Sequence, residues 1–128
     1  MIIEIKVPIY RTVCWVYVGD DEEKYRAHYV KKVGYGQGEK DLDLTNSDAL
    51  GRTICHSSRR YFVRLFQNAR LGVIAHEFSH VAFSILWDVG VTISEHSEES
   101  FTYLLTYLIN SYETQLNKSK EKLARTKT

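Results

Sequence analysis

The first half of the chain has the apolar patterning of β-strands. Apolar residues occupy every second position from 3 to 9, which predicts a half-buried strand that ends, or lies at a sheet edge, near Pro8. Residues 13–18 are apolar on both faces and predict an interior strand. Two more strands are expected at residues 52–56 and 60–66. The pattern therefore indicates a small mixed or antiparallel sheet of about four strands.

The last predicted strand has two distinct faces. Phe62, Arg64 and Phe66 fall on one face, and residues 61, 63 and 65 fall on the other. This alternation suggests a position near the edge of the sheet. A free edge can bind an extended peptide as an added strand, so residues 62–66 are a candidate for aligning a substrate.

An early helix and a loop are predicted between the two pairs of strands. Asp20 is a capping residue with Glu23 three positions on, and a stripe at Tyr25, Tyr29 and Val33 follows at helical spacing. Residues 34–51 are glycine-rich, polar and irregular, and we expect them to form a flexible loop.

Two longer helices are predicted in the second half of the chain. The first should run from about residue 69 to residue 88 and end at Gly90. The second follows residues 95–99 and carries an apolar stripe from Phe101 to Leu116. Because the connection is short, the two helices should be antiparallel neighbours, and the whole is an α+β domain.

Composition and cysteine usage narrow the class of protein. A length of 128 residues with 44% hydrophobic content is enough for one domain with its own core. Cys14 and Cys55 lack the spacing of a zinc or redox pair, so we expect buried thiols, as suits a reducing cytoplasm. No signal peptide or transmembrane segment is visible, so a cytoplasmic protein that does not act at a membrane is expected.

Charge is nearly balanced but unevenly distributed. A net charge of +1 argues against a dedicated nucleic-acid binder. Five cations and only Glu121 as an anion occupy residues 118–128. We expect a domain over residues 1–117 and a frayed, solvated basic tail over 118–128.

The helix predicted from about residue 69 to residue 88, here called the motif helix, carries the pattern of a metal site. His76 and His80 are four residues apart and lie one turn apart on the same helix face, so both imidazoles can reach one metal ion. Glu77 lies between them, where it can act as the base toward a water in the open position of the metal. The pattern is typical of a catalytic zinc site.

A third ligand is expected at the start of the next helix. Catalytic zinc sites commonly use three protein ligands, and the antiparallel packing brings Glu98 and Glu99 toward the motif helix. The helical wheel favours Glu98, which is nearer the apolar stripe, and His96 is a weaker candidate. The residues alone leave this choice open.

The spacing HExxH-x18-E resembles that of the gluzincin metallopeptidases, with Glu99 in the place of their glutamate ligand. The stretch from His76 to Leu105 is also similar to small zincin-like proteins of bacteriophage genomes. The resemblance covers residues 71–109 and implies Zn²⁺ held by His76, His80 and Glu99, with Glu98 in reserve. The resemblance also implies a minimal zincin-like domain. If the protein is encoded by a phage, it is expected in the cytoplasm of the phage's host.

The resemblance also implies a reaction. Glu77 is the base of a peptide hydrolysis in which zinc lowers the pKa of its bound water toward about 7. Tyr103 lies where several gluzincin families place a polar residue that orients a histidine, and it is either such a residue or a packing residue. Tyr103, Tyr107 and His96 are also candidates for stabilising the oxyanion. The partner is a peptide or protein substrate.

Two other interpretations compete with the peptidase. The chain ends soon after the ligand helix and has no room for the helical subdomain that forms the far wall of the cleft in larger relatives, so a protein partner is a candidate for completing it. A non-catalytic module in which zinc stabilises the helices, such as a phage assembly protein, is the main alternative. A metal-free helical hairpin is the third.

Overall fold

The computed structural model describes residues 1–43, 51–56 and 59–127. It contains strands β1 (Ile2–Val7), β2 (Thr12–Val18), β3 (Gly51–His56) and β4 (Arg60–Leu65). They form one mixed sheet in the order β1-β2-β4-β3, in which β1 with β2 and β3 with β4 are antiparallel and β2 with β4 is parallel. The predicted α+β class and the interior position of residues 13–18 are confirmed.

The predicted edge position of residues 60–66 is wrong. Strand β4 pairs with β2 on one side and with β3 on the other, so its backbone is not free to bind a peptide. Arg64 on this strand is only 1% exposed. The strand at this edge of the sheet is β3, and no described segment pairs with its outer side.

In the described part of the chain, four α-helices pack on the sheet: α1 (Glu22–Val33), α2 (Tyr35–Asp43), α3 (Leu71–Asp88) and α4 (Glu98–Thr126). Asp21, one residue after the predicted cap, accepts a hydrogen bond from the Lys24 amide at 3.0 Å and begins α1. The motif helix α3 begins two residues later than predicted, after Arg70.

Helix α2 lies where a flexible loop was predicted. A Cβ on Gly38 would lie 3.0 Å from the Cα of Val30, so the glycine permits α2 to pack closely on α1. Tyr29 also donates a hydrogen bond to Asp41 at 2.5 Å. Gly38 therefore serves close packing, and the rest of the predicted loop, residues 44–50, lies outside the described residues.

The sheet has a buried layer on each face. Helices α3 and α4 cover one face, with a core that includes Val16, Val63, Phe78 and Leu108. Helices α1 and α2 cover the other face around Tyr29 and Phe62. The two faces predicted for residues 61–66 therefore point into these two different layers.

Helix α4 extends beyond the core on which it packs. Its last buried residue is Tyr112, and Leu116 still packs on the core. The predicted frayed basic tail is helical through Thr126, and residues 117–127 are exposed except for Ser119. None of the described helices is both long enough and apolar enough to cross a membrane.

A buried arginine joins α1 to the sheet. The guanidinium of Arg64 forms an ion pair with Glu22 and lies 4.3 Å from the ring centroid of Phe66. Arg52, its cross-strand neighbour, lies 3.6 Å from the same carboxylate. Glu22 therefore neutralises charge that the strands bury under the start of α1.

Glu22→Gln should lower the free energy of unfolding by about 1–3 kcal/mol, because it leaves Arg64 buried beside a neutral amide. Glu23→Gln, in the same helical turn but exposed, is the matched control and should change it by less than about 0.5 kcal/mol. Urea unfolding at neutral pH measures both. Equal effects of the two substitutions would contradict a special role for Glu22.

Candidate metal centre

The two motif histidines lie together on the surface of α3. Their Nε2 atoms are 3.2 Å apart and their ring centroids 4.8 Å apart, and both residues are exposed. The other side of α3 is an apolar stripe of buried residues, which includes Phe78, Val81 and Ile85. The spacing of four residues therefore brings the two imidazoles together, as predicted.

This separation fits two ligands of one metal ion. Two nitrogens about 2.0–2.1 Å from a tetrahedral zinc are about 3.3–3.4 Å apart, close to the observed 3.2 Å. The same distance also fits a hydrogen bond between neutral imidazoles. His76 and His80 could thus hold zinc with little movement.

Glu77 is held between α3 and the edge strand β3. Its side chain is 6% exposed, and Thr53 donates a hydrogen bond to its Oε2. The Thr53 hydroxyl also lies 3.2 Å from the main-chain oxygen of Glu77. Gly51 leaves the space that the carboxylate arm occupies, since a Cβ there would lie 2.8 Å from the Glu77 Cγ. The carboxylate is therefore fixed in direction, with Oε1 left for another partner.

A shallow groove runs between β3 and the histidine-bearing side of α3. Its volume is about 370 Å³, and it is lined by Cys55, His56, Phe83, Ser84, Trp87 and Asp88. The Cys55 sulfur lies 3.1 Å from the Ser84 hydroxyl, and burial of that sulfur raises the pKa of the thiol. Cys55 does not form a metal-binding group with the histidine pair among the described residues.

The glutamates of α4 do not lie beside the histidines. The ring of Phe78 lies 5.5 Å from the ring of Tyr112, which fixes the level at which the two helices pack. Glu99 precedes Tyr112 by thirteen residues, or about 20 Å along a helix, and both Glu98 and Glu99 are exposed. In the described part of the chain, no three His, Cys, Asp or Glu side chains form a group that could hold a metal.

Helix phase adds to this separation. Phe78 projects about 160–200° away from His76 and His80, so α4 packs on the side of α3 opposite to the histidines. Glu77 and Ser84 face β3 instead. The third ligand that the spacing assigns to Glu99 stays a prediction, and the geometry does not supply it.

The tyrosine candidates lie at the other edge of the sheet. The Tyr107 hydroxyl donates a hydrogen bond to the Lys6 carbonyl of β1 at 2.6 Å. Tyr103 lines a separate groove of about 530 Å³ between α4 and the end of β1. His96 is exposed before α4, 3.7 Å from Glu95. The structure therefore does not bring Tyr103, Tyr107 or His96 to Glu77.

Sequence reasoning missed Gly51 and Thr53, the residues that position Glu77. The alternation of β3 was visible, and it places residues 51, 53 and 55 on one face. No pattern in the sequence indicated which helix that face would contact. Their role became visible only with the packing of α3 on β3.

Gly51→Ala should lower the free energy of unfolding by about 1–3 kcal/mol, because the new methyl group displaces the Glu77 side chain. Gly72→Ala is the matched control in α3, since a Cβ there meets nothing within 4 Å. It should be neutral or stabilising by up to about 1 kcal/mol. Thermal or urea unfolding compares the two, and a harmless Gly51→Ala would contradict the close packing of Glu77.

Comparisons with protein-family models, with curated proteins and with solved structures found no match for this chain. The resemblance to gluzincins therefore rests on the motif and its spacing alone. Function has to be argued from the geometry of the site itself.

Proposed function

We propose that this protein is a zinc-dependent peptidase that hydrolyses peptide bonds at the histidine pair of α3. The main observation that supports the proposal is the position of Glu77. Glu77 follows His76 in α3, and its carboxylate accepts a hydrogen bond from Thr53 on β3, a strand whose outer side has no described partner. A purely structural metal site has no need for a carboxylate held in this way.

The edge strand β3 supplies a means of aligning the substrate. Its outer side can pair with an extended peptide as an added strand. Thr53 and Gly51 of the same strand contact Glu77, so a peptide paired there lies next to the base. The groove with Phe83 and Trp87 offers apolar surface to its side chains.

Glu77 has the geometry of a general base. Thr53 occupies Oε2 and leaves Oε1 to accept a proton from the attacking water. Glu77 then passes this proton to the leaving amine. Bound at His76 and His80, Zn²⁺ supplies Lewis acidity toward water and the peptide carbonyl.

A non-catalytic, zinc-linked interaction module is the second candidate. It is favoured by the exposure of both histidines and by the distance of the α4 glutamates from them. In that function a partner covers the metal and the site stays closed. Either role suits a reducing compartment such as the cytoplasm, since both cysteines are free thiols.

His76→Ala should lower zinc affinity by more than about 100-fold, because loss of a supporting residue alone costs about 10–100-fold. Glu99→Gln should leave the affinity unchanged if α4 keeps its place. Competition with a chromophoric chelator measures both variants. A large loss in Glu99→Gln would show that the first turn of α4 reaches the histidines when metal binds.

Glu77→Gln should retain zinc and reduce peptide cleavage by at least about 100-fold, since a general base contributes about 10²–10⁴-fold. Glu113→Gln, an exposed residue of α4, is the control and should cleave at the wild-type rate. A peptide library read by mass spectrometry is the assay. If the zinc-loaded wild type cleaves nothing, the peptidase is excluded for that library and the interaction module is favoured.

A further inference from the structure

We infer that the histidine pair also binds a metal ion shared with a second copy of this chain, which gives a symmetric dimer with one zinc between two α3 helices. The inference deepens the proposed function, because it rests on the same metal binding and names a partner of that site. It concerns the face of α3 formed by His76, His80, Phe83 and Trp87, here called the histidine face.

Coordination favours this partner. Zinc in proteins commonly takes four ligands, and the two imidazoles fill only half of these positions. The described residues offer no third ligand beside them. A second copy related by a twofold axis brings an identical pair, which completes a tetrahedral set of four nitrogens.

The surface around the pair is suited to burial. Phe83 is 52% exposed and Trp87 is 72% exposed, and both lie on the same side of α3 as the histidines. Exposed aromatic residues beside a polar centre are typical anchors of protein interfaces. The four residues of the histidine face carry no formal charge when the imidazoles are neutral, so pairing two copies brings no like charges together.

The ends of α3 are complementary in a twofold arrangement. We place the twofold axis perpendicular to α3 at the histidine pair, which sets the two α3 helices antiparallel. Arg70 at the start of one helix then lies within about one turn of Asp88 at the end of the other. Gly72, where a Cβ meets nothing within 4 Å, leaves room near the first turn for the aromatic residues of the second copy.

The free edge of the sheet lies on the same side. Strand β3 has no described partner on its outer side, so the two copies can approach along this edge as well. A dimer formed here covers the groove lined by Phe83 and Trp87 and fills the open metal positions. The shared-zinc dimer is therefore a closed, inactive form of the proposed enzyme, and the monomer is the open form.

Zinc titration of the full chain under a thiol reductant tests this inference. Molecular mass is followed by light scattering and bound zinc by elemental analysis. The mass should double from 14.9 kDa with an end point of one zinc per two chains, and excess chelator should reverse it. The reductant excludes a disulfide through Cys55.

Variants separate the inference from the proposed function. His80→Ala should abolish the zinc-dependent dimer, and Trp87→Ser should weaken it by at least about tenfold while leaving zinc binding intact. Tyr35→Ser is the control, since Tyr35 is 77% exposed on α2, and it should dimerise like the wild type. A monomer with one zinc per chain overturns the dimer but leaves the peptidase standing. Absence of zinc binding overturns both.

Discussion

The contact between Glu77 and strand β3 is the constraint on which the candidate site depends. A carboxylate with 6% exposure has to be hydrogen-bonded, and Thr53 is the donor that the strand provides. Gly51 allows the carboxylate arm to lie against the strand. Because an α-helix is rigid, fixing the direction of Glu77 also fixes the direction of every other side chain on α3. The histidines consequently lie on the exposed side of α3.

The same constraint separates the histidines from α4. With Glu77 turned toward β3, the apolar stripe of α3 faces the core, and Phe78 meets Tyr112 of α4 on the far side. The spacing of eighteen residues between His80 and Glu99 counts positions along the chain. It contains no information on the level or the side at which the second helix packs. Those depend on side-chain fit between the helices, which the motif does not encode.

Strong periodicity made most of the fold predictable. The doubly apolar run at residues 13–18 identified an interior strand. The alternation at residues 61–66 separated the two faces of β4 correctly, but it was interpreted as an edge position, whereas both faces are buried. The burial of Arg64 could not be predicted, because the arginine is paired with Glu22, a residue far away in sequence. Gly38 was misread because a glycine that permits close helix packing looks the same in sequence as a glycine in a flexible loop.

The candidate site was predictable only in its local part. His76, Glu77 and His80 are related by helix geometry alone, so their arrangement followed from the spacing. Thr53 and the groove beside Cys55 depend on a long-range contact between β3 and α3 and could not be found in this way.

A metal site with two ligands on a helix surface can serve either of two functions, and what fills its remaining positions decides between them. Catalysis needs one position open to water and a substrate on the adjacent strand. A zinc ion that links two chains needs both of its remaining coordination positions filled by the other chain. The affinity of the shared site depends on the concentration of the chain, because two copies must meet, whereas the open site depends on zinc alone. In the proposed scheme, low chain concentration favours the open form, and a higher concentration of the chain favours the closed dimer. The exposure of His76 and His80 is the feature of the structure on which this proposed coupling between assembly and access to Glu77 rests.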